Sequence, residues 1–113
     1  MNNVKLWIEG EEKACEYLRK RGYRILERNY KNRYGELDII AQPKHNADVI
    51  VIVEVKAKSS DDYGRPIEMI TQHKRKKLEQ VTSGYLQTLD KEYYVRFDAI
   101  EFIDGQINHI EGI

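Results

Sequence analysis

The sequence predicts an α/β protein with a central mixed β-sheet flanked by helices, in the order α-β-β-β-α-β-β. Three observations favour this fold class. A stretch of helix formers opens the chain, an unusually apolar Val/Ile run lies in its middle, and a second helical stripe separates that run from two further strand-like segments. One sheet with a helix on each face would bury these apolar surfaces in a single core. With 113 residues, we expect one domain spanning residues 1–113.

The first helix and the first two strands follow from periodicity and turn residues. Residues 4–21 place apolar side chains at spacings of three and four, and Gly22 ends the helix. Residues 23–30 alternate loosely and indicate a strand. A turn over residues 29–35 connects it to a second strand over residues 36–42. A helix and two closely connected strands therefore open the chain.

The middle of the chain predicts a central strand and a long second helix. A polar loop over residues 43–48 leads into residues 49–58, whose Val/Ile run is typical of a strand covered on both faces. After a segment with a tight-turn pattern, Pro66 is well suited to begin a helix that runs to about Leu89. This helix would cover one face of the sheet.

Two strands end the predicted fold. Residues 93–103 read as a strand, Asp104-Gly105 is a strong hairpin signal, and residues 106–113 return as a short final strand. The chain contains no internal repeat, low-complexity tract or linker that would divide it.

Composition narrows the function classes. The net charge is zero, so nucleic-acid binding would need a local basic patch instead of a basic molecule. Cys15 is the only cysteine, which excludes an internal disulfide or a cysteine zinc site and fits a reducing compartment. The three histidines are scattered, which disfavours a histidine metal centre. Without a long apolar run or a signal-peptide pattern, we expect no membrane association and a cytoplasmic location.

Two neighbouring strands bring acidic residues and a lysine to one point. If Gln42 lies opposite Ile50, residues whose numbers sum to 92 face each other, so that Asp38 opposes Glu54. Strand alternation then puts Asp38, Glu54 and Lys56 on one face of the sheet. The other face carries apolar side chains: Leu37, Ile39, Val51, Val53 and Val55. The two carboxylates would lie about 5 Å apart at their β-carbons, which lets them hold one divalent cation.

This arrangement suits phosphodiester hydrolysis. Two like carboxylates repel each other unless a hard cation such as Mg²⁺ or Mn²⁺ joins them. A lysine near that cation can orient or deprotonate a water molecule, and it can stabilise the charge of the transition state. The alternative is an ordinary cross-strand ion pair on a solvated sheet face, which is the commoner role of an isolated Glu-x-Lys motif. The apolar surroundings of Glu54 and Lys56 favour the functional interpretation.

The two helices add further candidates. Glu11 shares the inward stripe of the first helix, where a carboxylate needs a partner, although a glutamate near a helix N-terminus is also favoured by the helix dipole. Lys74 falls on the stripe of the second helix and can reach the site. The following residues Arg75, Lys76 and Lys77 complete a basic run, which forms either a solvated helix face or a phosphate-binding surface.

The sequence resembles the YraN-type uncharacterised bacterial family over nearly its whole length. The matching segments, in order, are G10-E11-x-x-A14, Y17-L18, R21-G22-Y23-x-I25-L26-x-R28-N29-Y30, G35-E36-L37-D38-I39-I40-A41, V53-E54-V55-K56, Y63-G64, K74 with L78, Y85-L86 and R96-F97-D98-A99-I100. That family in turn resembles a minimal member of the PD-(D/E)XK restriction-endonuclease-like superfamily, with a core similar to archaeal Holliday-junction resolvases.

The resemblance implies a restriction-endonuclease-like core and specific roles. Asp38 and Glu54 would be metal ligands together with the backbone carbonyl of Val55, Lys56 would be the catalytic lysine, and Glu11 would be an accessory carboxylate that binds a second metal or water. Two positions depart from the pattern. Lys58 stands where the family commonly has an arginine, which removes bidentate phosphate binding, and Leu37 replaces the superfamily proline before Asp38.

These observations lead to one main hypothesis and two alternatives. The main hypothesis is a Mg²⁺- or Mn²⁺-dependent endonuclease acting on DNA in preference to RNA, on branched or damaged DNA, with Lys58 and residues 74–77 contacting phosphates. A homodimer presenting two sites is compatible with the small size, with Trp7 and the tyrosines as interface candidates. The alternatives are a nucleic-acid-binding module that does not cleave, and a scaffold protein in which the charged cluster only stabilises the sheet.

Overall fold

The structure, a computed structural model, describes residues 3–59 and 71–113. Within them the elements are α1 (Asn3–Lys20), β1 (Tyr23–Asn32), β2 (Gly35–Pro43), β3 (Val49–Lys58), α2 (Gln72–Leu86), β4 (Tyr94–Ile103) and β5 (Gln106–Ile110). The strands form one mixed sheet in the order β1-β2-β3-β4-β5, in which only β3 and β4 are parallel. The predicted α/β class and the element order α-β-β-β-α-β-β are confirmed.

The helices differ from the prediction mainly at one boundary. Thr71 has an extended backbone, and its side chain accepts a hydrogen bond from the backbone N–H of Lys74, so α2 begins at Gln72. An unbroken helix from Pro66 to Leu89 is therefore wrong, and residues 66–70 themselves lie outside the described residues. The helix ends at Leu86. No helix of the described residues is long and apolar enough to cross a membrane.

The sheet separates two apolar clusters, one beneath each helix. The α1 side contains Ala14, Cys15, Leu18, Ile39, Ala41, Val51, Val53, Val55 and Ile100. The α2 side contains Leu37, Ile40, Ile50, Ile52, Leu78, Val81 and Tyr85. Strand β3 contributes to both clusters and lies in the middle of the sheet, as its Val/Ile run predicts.

The predicted pairing of β2 with β3 is confirmed, but it stops at the candidate site. Ile39 pairs with Val53, Ile40 with Ile52 and Ala41 with Val51, which is the register whose residue numbers sum to 92. The ladder ends at Ile39 and Val53, so Asp38 and Glu54 follow directly where the two strands separate.

The predicted face of Leu37 is wrong, because the regular alternation of side chains between the two faces of the sheet breaks in β1 and β2 beside the site. Leu37 packs on the α2 side, whereas Ile39 packs on the α1 side, although regular alternation would put both on one face. Between their partners on β1 lies Asn29, which has a left-handed backbone with φ of 50°. The change of face at Asn29 and Asp38 puts Asp38 between the two layers of the core.

Candidate active site

Asp38 and Glu54 occupy the point where β2 and β3 separate. The backbone N–H of Val55 donates to Asp38 Oδ2 at 2.8 Å. The Asp38 carboxylate thus replaces a missing ladder partner of β3. The two carboxyl groups lie close enough to change each other's ionisation. The sequence prediction that these carboxylates converge is met by the geometry.

The environment of this pair opposes ionisation. Burial and, after it, the charge of Asp38 raise the pKa of Glu54 to about 7, although nearby Lys74 acts in the opposite direction. Burial also raises the pKa of Asp38, against the stabilising Val55 N–H and Lys74. Two adjacent buried carboxyl groups resist carrying two negative charges unless a cation joins them. The pair is therefore destabilising for the folded protein near neutral pH, which is typical of functional sites.

Glu11 lies on the α1 side of the same region. Its side chain is almost fully buried, and Arg28 provides the nearest cation, with Nη2 at 3.8 Å from Glu11 Oε1. Burial and the charge of Asp38 raise the pKa of Glu11, while Asn29 and Arg28 oppose that rise. Within residues 3–59 and 71–113, Glu11 Oε2 is buried without a hydrogen-bond partner. An unsatisfied buried carboxylate oxygen needs a ligand or water.

The donor set fits a hard divalent cation. Asp38, Glu54 and the Val55 carbonyl offer oxygen ligands only, and a cation would remove the repulsion within the pair. In the described part of the chain, no three His, Cys, Asp or Glu side chains lie close enough together to hold a metal ion by themselves. Two protein carboxylates with water or substrate oxygens completing the coordination is the usual arrangement for Mg²⁺. Among the described residues, Glu11 therefore does not join Asp38 and Glu54 in a three-carboxylate group.

The lysines are arranged differently from the sequence expectation. Lys74 Nζ lies 3.6 Å from Glu54 Oε1, so this helix residue contacts the acidic pair. Lys56 is exposed on β3, two residues beyond Glu54. Lys58 is buried, and its Nζ lies 3.3 Å from Glu101 Oε2. This pairing disfavours Lys58 as a phosphate contact, because its ammonium already has a buried partner.

The basic run on α2 splits into two groups. The guanidinium of Arg75 donates to the backbone carbonyl of Ile113 and lies 4.6 Å from the centroid of the Phe97 ring. The Arg75 guanidinium is therefore already engaged with Ile113 and Phe97, which disfavours it as a phosphate contact. Lys76 and Lys77 are exposed, and Lys77 lines the cleft described next. These two, with Lys74, remain the candidates for phosphate contacts.

A cleft of about 410 Å³ opens beside the carboxylates. Its lining consists of Tyr34, Gly35, Glu36, Glu54, His73, Lys74, Lys77, Leu78 and Val81. The cleft therefore joins an aromatic side chain, two lysines and an apolar floor to one member of the acidic pair. Its volume lies within the usual range for small-ligand sites.

Sequence reasoning did not identify three residues of this region. Arg28 forms an ion pair with Glu11, Asn29 lowers the pKa of the same carboxyl group, and Tyr34 lines the cleft. An Arg-Asn pair within a strand opposite the segment of Asp38 was an available signal for the first two. No sequence signal separates Tyr34 from the other seven tyrosines, because its position depends on packing against α2.

Comparison with known proteins gives the family. The family model of the uncharacterised protein family UPF0102 matches residues 10–102. The chain belongs to this family. The YraN-type resemblance seen in the sequence is thereby confirmed.

Curated relatives from several bacteria match over nearly their full length. A UPF0102 protein of Persephonella marina is 49% identical over 110 residues, covering 94% of this chain and 92% of the relative. One from Thermodesulfovibrio yellowstonii is 43% identical, covering 99% of this chain and 97% of the relative. One from Thermotoga maritima is 41% identical, covering 95% and 94%. The names of these relatives give the family and state no activity.

Proposed function

We propose that this UPF0102 protein is a divalent-metal-dependent nuclease that hydrolyses phosphodiester bonds in DNA. The observation that carries the proposal is the pair of buried carboxyl groups, Asp38 and Glu54, at the point where β2 and β3 separate. Both pKa values are raised, and the pair adjoins a cleft with lysines. The resemblance to the PD-(D/E)XK superfamily supports DNA over RNA as the substrate.

The carboxylates and the lysines of the site have different roles in the proposed reaction. Asp38, Glu54 and the Val55 carbonyl would hold Mg²⁺ or Mn²⁺, which supplies Lewis-acid stabilisation of the phosphate and lowers the pKa of water. Glu11, with its unsatisfied Oε2, would hold a water molecule or a second cation. Lys74 and Lys77 carry the positive charge that faces a phosphate in the cleft.

Two lysines compete for the role next to the attacking water. Lys56 is the residue that the superfamily resemblance implies, and it is exposed. Lys74 already lies near Glu54. Replacing each lysine by methionine distinguishes the two roles. Loss of the lysine that orients water should lower the maximal rate, whereas loss of a phosphate contact should mainly weaken DNA binding.

The test begins with the metal. We would titrate Mn²⁺ at pH 8 by calorimetry into the wild type, Asp38→Asn, Glu54→Gln and the control Glu79→Gln, whose glutamate is exposed on α2. We expect binding in the wild type and the control and loss in the other two. Incubation with paired, single-stranded and branched DNA should then give cleavage only where metal binds. Wild-type protein that binds no metal, even with DNA present, would refute the proposal.

One observation favours a second candidate, a nucleic-acid-binding module that does not cleave. The ammonium of Lys74 lies beside Glu54 and partly replaces a metal as the neutralising charge. This candidate predicts DNA binding that falls steeply with salt and is unchanged by Mg²⁺. Metal-independent binding without cleavage, shared by the wild type and Glu54→Gln, would select it over the nuclease.

A further inference from the structure

The aromatic side chain of Tyr34 forms one wall of the cleft beside Glu54. Tyr34 follows β1 in the turn to β2, and its backbone N–H donates to Asn32 Oδ1 at 2.9 Å. Asn32 Nδ2 in turn donates to the carbonyl of Val81 on α2 at 3.1 Å. The turn is therefore fastened to the helix that carries the cleft lysines, and the position of Tyr34 is set before any ligand binds.

A glycine on α2 permits this close approach. A β-carbon at Gly84 would lie 2.7 Å from Asn32 Nδ2 and 3.6 Å from Tyr34 Cδ2. A larger residue at position 84 would therefore displace the Asn32 side chain from its hydrogen bond to Val81. Such a close contact between a strand turn and a helix restricts the motion of the tyrosine.

Arg33 covers part of the Tyr34 ring, and the residue stays partly exposed. The guanidinium of Arg33 lies 4.8 Å from the ring centroid, and Arg33 Nη2 donates to the Tyr34 hydroxyl at 2.6 Å. The residue is nevertheless 41% exposed, and it lines the cleft. A partly exposed aromatic ring on the wall of a cleft is a surface on which any nucleobase can stack.

The rest of the cleft complements a nucleotide. Lys74 and Lys77 supply two ammonium groups, which suit phosphates. Leu78 and Val81 supply an apolar floor, which suits the face or edge of a base. Glu54 connects this space to the acidic pair. Aromatic, apolar and cationic groups thus line one space of about 410 Å³.

We propose that this cleft binds one unpaired nucleotide of the DNA, with its base against Tyr34 and its phosphates near Lys74 and Lys77. A base inside a duplex is stacked on both sides and cannot enter, whereas an unpaired base enters at much lower cost. The substrate class is therefore DNA with an unpaired nucleotide beside the bond to be cleaved. The inference rests on the proposed function, because Glu54 belongs to both.

The test compares two duplexes of the same sequence, one fully paired and one with a single extra unpaired nucleotide. Fluorescence anisotropy of labelled DNA, without divalent metal so that no cleavage occurs, gives both affinities. We expect the wild type to bind the second duplex about tenfold more tightly, the usual scale of stacking on one aromatic side chain. Tyr34→Ala should lose this preference, whereas Tyr34→Phe should keep it because the ring is retained.

The matched control is Tyr94→Ala, which removes an even more exposed tyrosine at the start of β4, outside the cleft lining. It should keep the wild-type preference. A second variant, Lys77→Gln, should weaken binding to both duplexes and lower the slope of log affinity against log salt by about 1. An unchanged preference in Tyr34→Ala, or equal loss in Tyr94→Ala, would overturn the inference.

Two further outcomes separate the possible failures. Equal affinity for both duplexes, with metal-dependent cleavage of both, would overturn the unpaired-nucleotide inference and leave the nuclease proposal intact. Absence of both metal and DNA binding would overturn the two together. Deoxyadenosine monophosphate serves as a competitor, and displacement at the concentration at which DNA itself binds would overturn the inference in favour of a free nucleotide as the occupant.

Discussion

Replacing Glu54 by glutamine should stabilise the metal-free protein at high pH. The pKa of Glu54 rises from 4.5 to about 7 in the folded state. Since a raised carboxyl pKa means that the folded state binds the proton more tightly, stability falls as the pH rises from about 4.5 to about 7. At about 1.4 kcal/mol per pH unit, the loss above pH 7 amounts to about 3 kcal/mol. Glutamine keeps the shape and carries no charge, so it avoids this loss.

The assay is urea unfolding of the wild type and Glu54→Gln at pH 5 and pH 8 in the presence of a chelator. We expect the variant to gain about 2 to 3 kcal/mol relative to the wild type between the two pH values, less than the full loss because part of it has occurred by pH 5. The exposed control Glu79→Gln should follow the wild type. If Glu54→Gln and the wild type lost equal stability between pH 5 and pH 8, the reasoning about a charge-disfavouring site would be refuted.

Three further predictions follow from the same contacts. Saturating Mn²⁺ at pH 8 should raise the melting temperature of the wild type in thermal scans and leave that of Asp38→Asn unchanged. The reason is that the ion stabilises only a native state that keeps the Asp38 carboxylate as a metal ligand. Equal shifts in the two proteins would contradict Asp38 as a metal ligand. Gly10→Ala should cost about 1 to 3 kcal/mol in urea unfolding, since its β-carbon would lie 2.8 Å from that of Ala57 and force α1 away from β3; an unchanged midpoint would argue against this packing. Asp98→Asn should cost about 3 kcal/mol near neutral pH, because Asp98 is fully buried between Arg96 and His109. Burial raises the pKa of Asp98, but the hydrogen bonds from His109 and Arg96 outweigh it and lower the pKa overall. The cost should therefore shrink as acid protonates the wild-type residue, and a pH-independent cost would exclude the ionic role.

Much of the candidate site could be predicted from the sequence because it depends on local alternation. Once β2 and β3 are joined by a short loop, alternation and the apolar pattern leave one register that buries the Val and Ile side chains. That register brings Asp38 and Glu54 together, and the observed pairs agree with it. The inward position of Glu11 likewise follows from the helical stripe, and its burial agrees.

Other features depend on contacts between distant parts of the chain. The partner of Lys58 is Glu101 on β4, which no local pattern reveals, so a residue expected at the surface is buried. Likewise, the start of α2 at Gln72 depends on Thr71 as a cap, which competes with Pro66 as a start signal in the sequence. The site roles of the lysines, the metal and the nucleic acid stay predictions.

The sequence by itself determined the order of elements, the central position of β3 and the register of β2 against β3, because the periodicity of apolar residues can be read along the chain. Only the tertiary structure decided that the side-chain alternation of β1 and β2 breaks at Asn29 and Asp38. The same is true of the contact of the Tyr34 turn with α2, which depends on the hydrogen bonds of Asn32. The physical reason is that a left-handed residue and a close helix contact depend on what packs around them. Alternation assumes a regular strand, and the strand is irregular where the acidic pair lies.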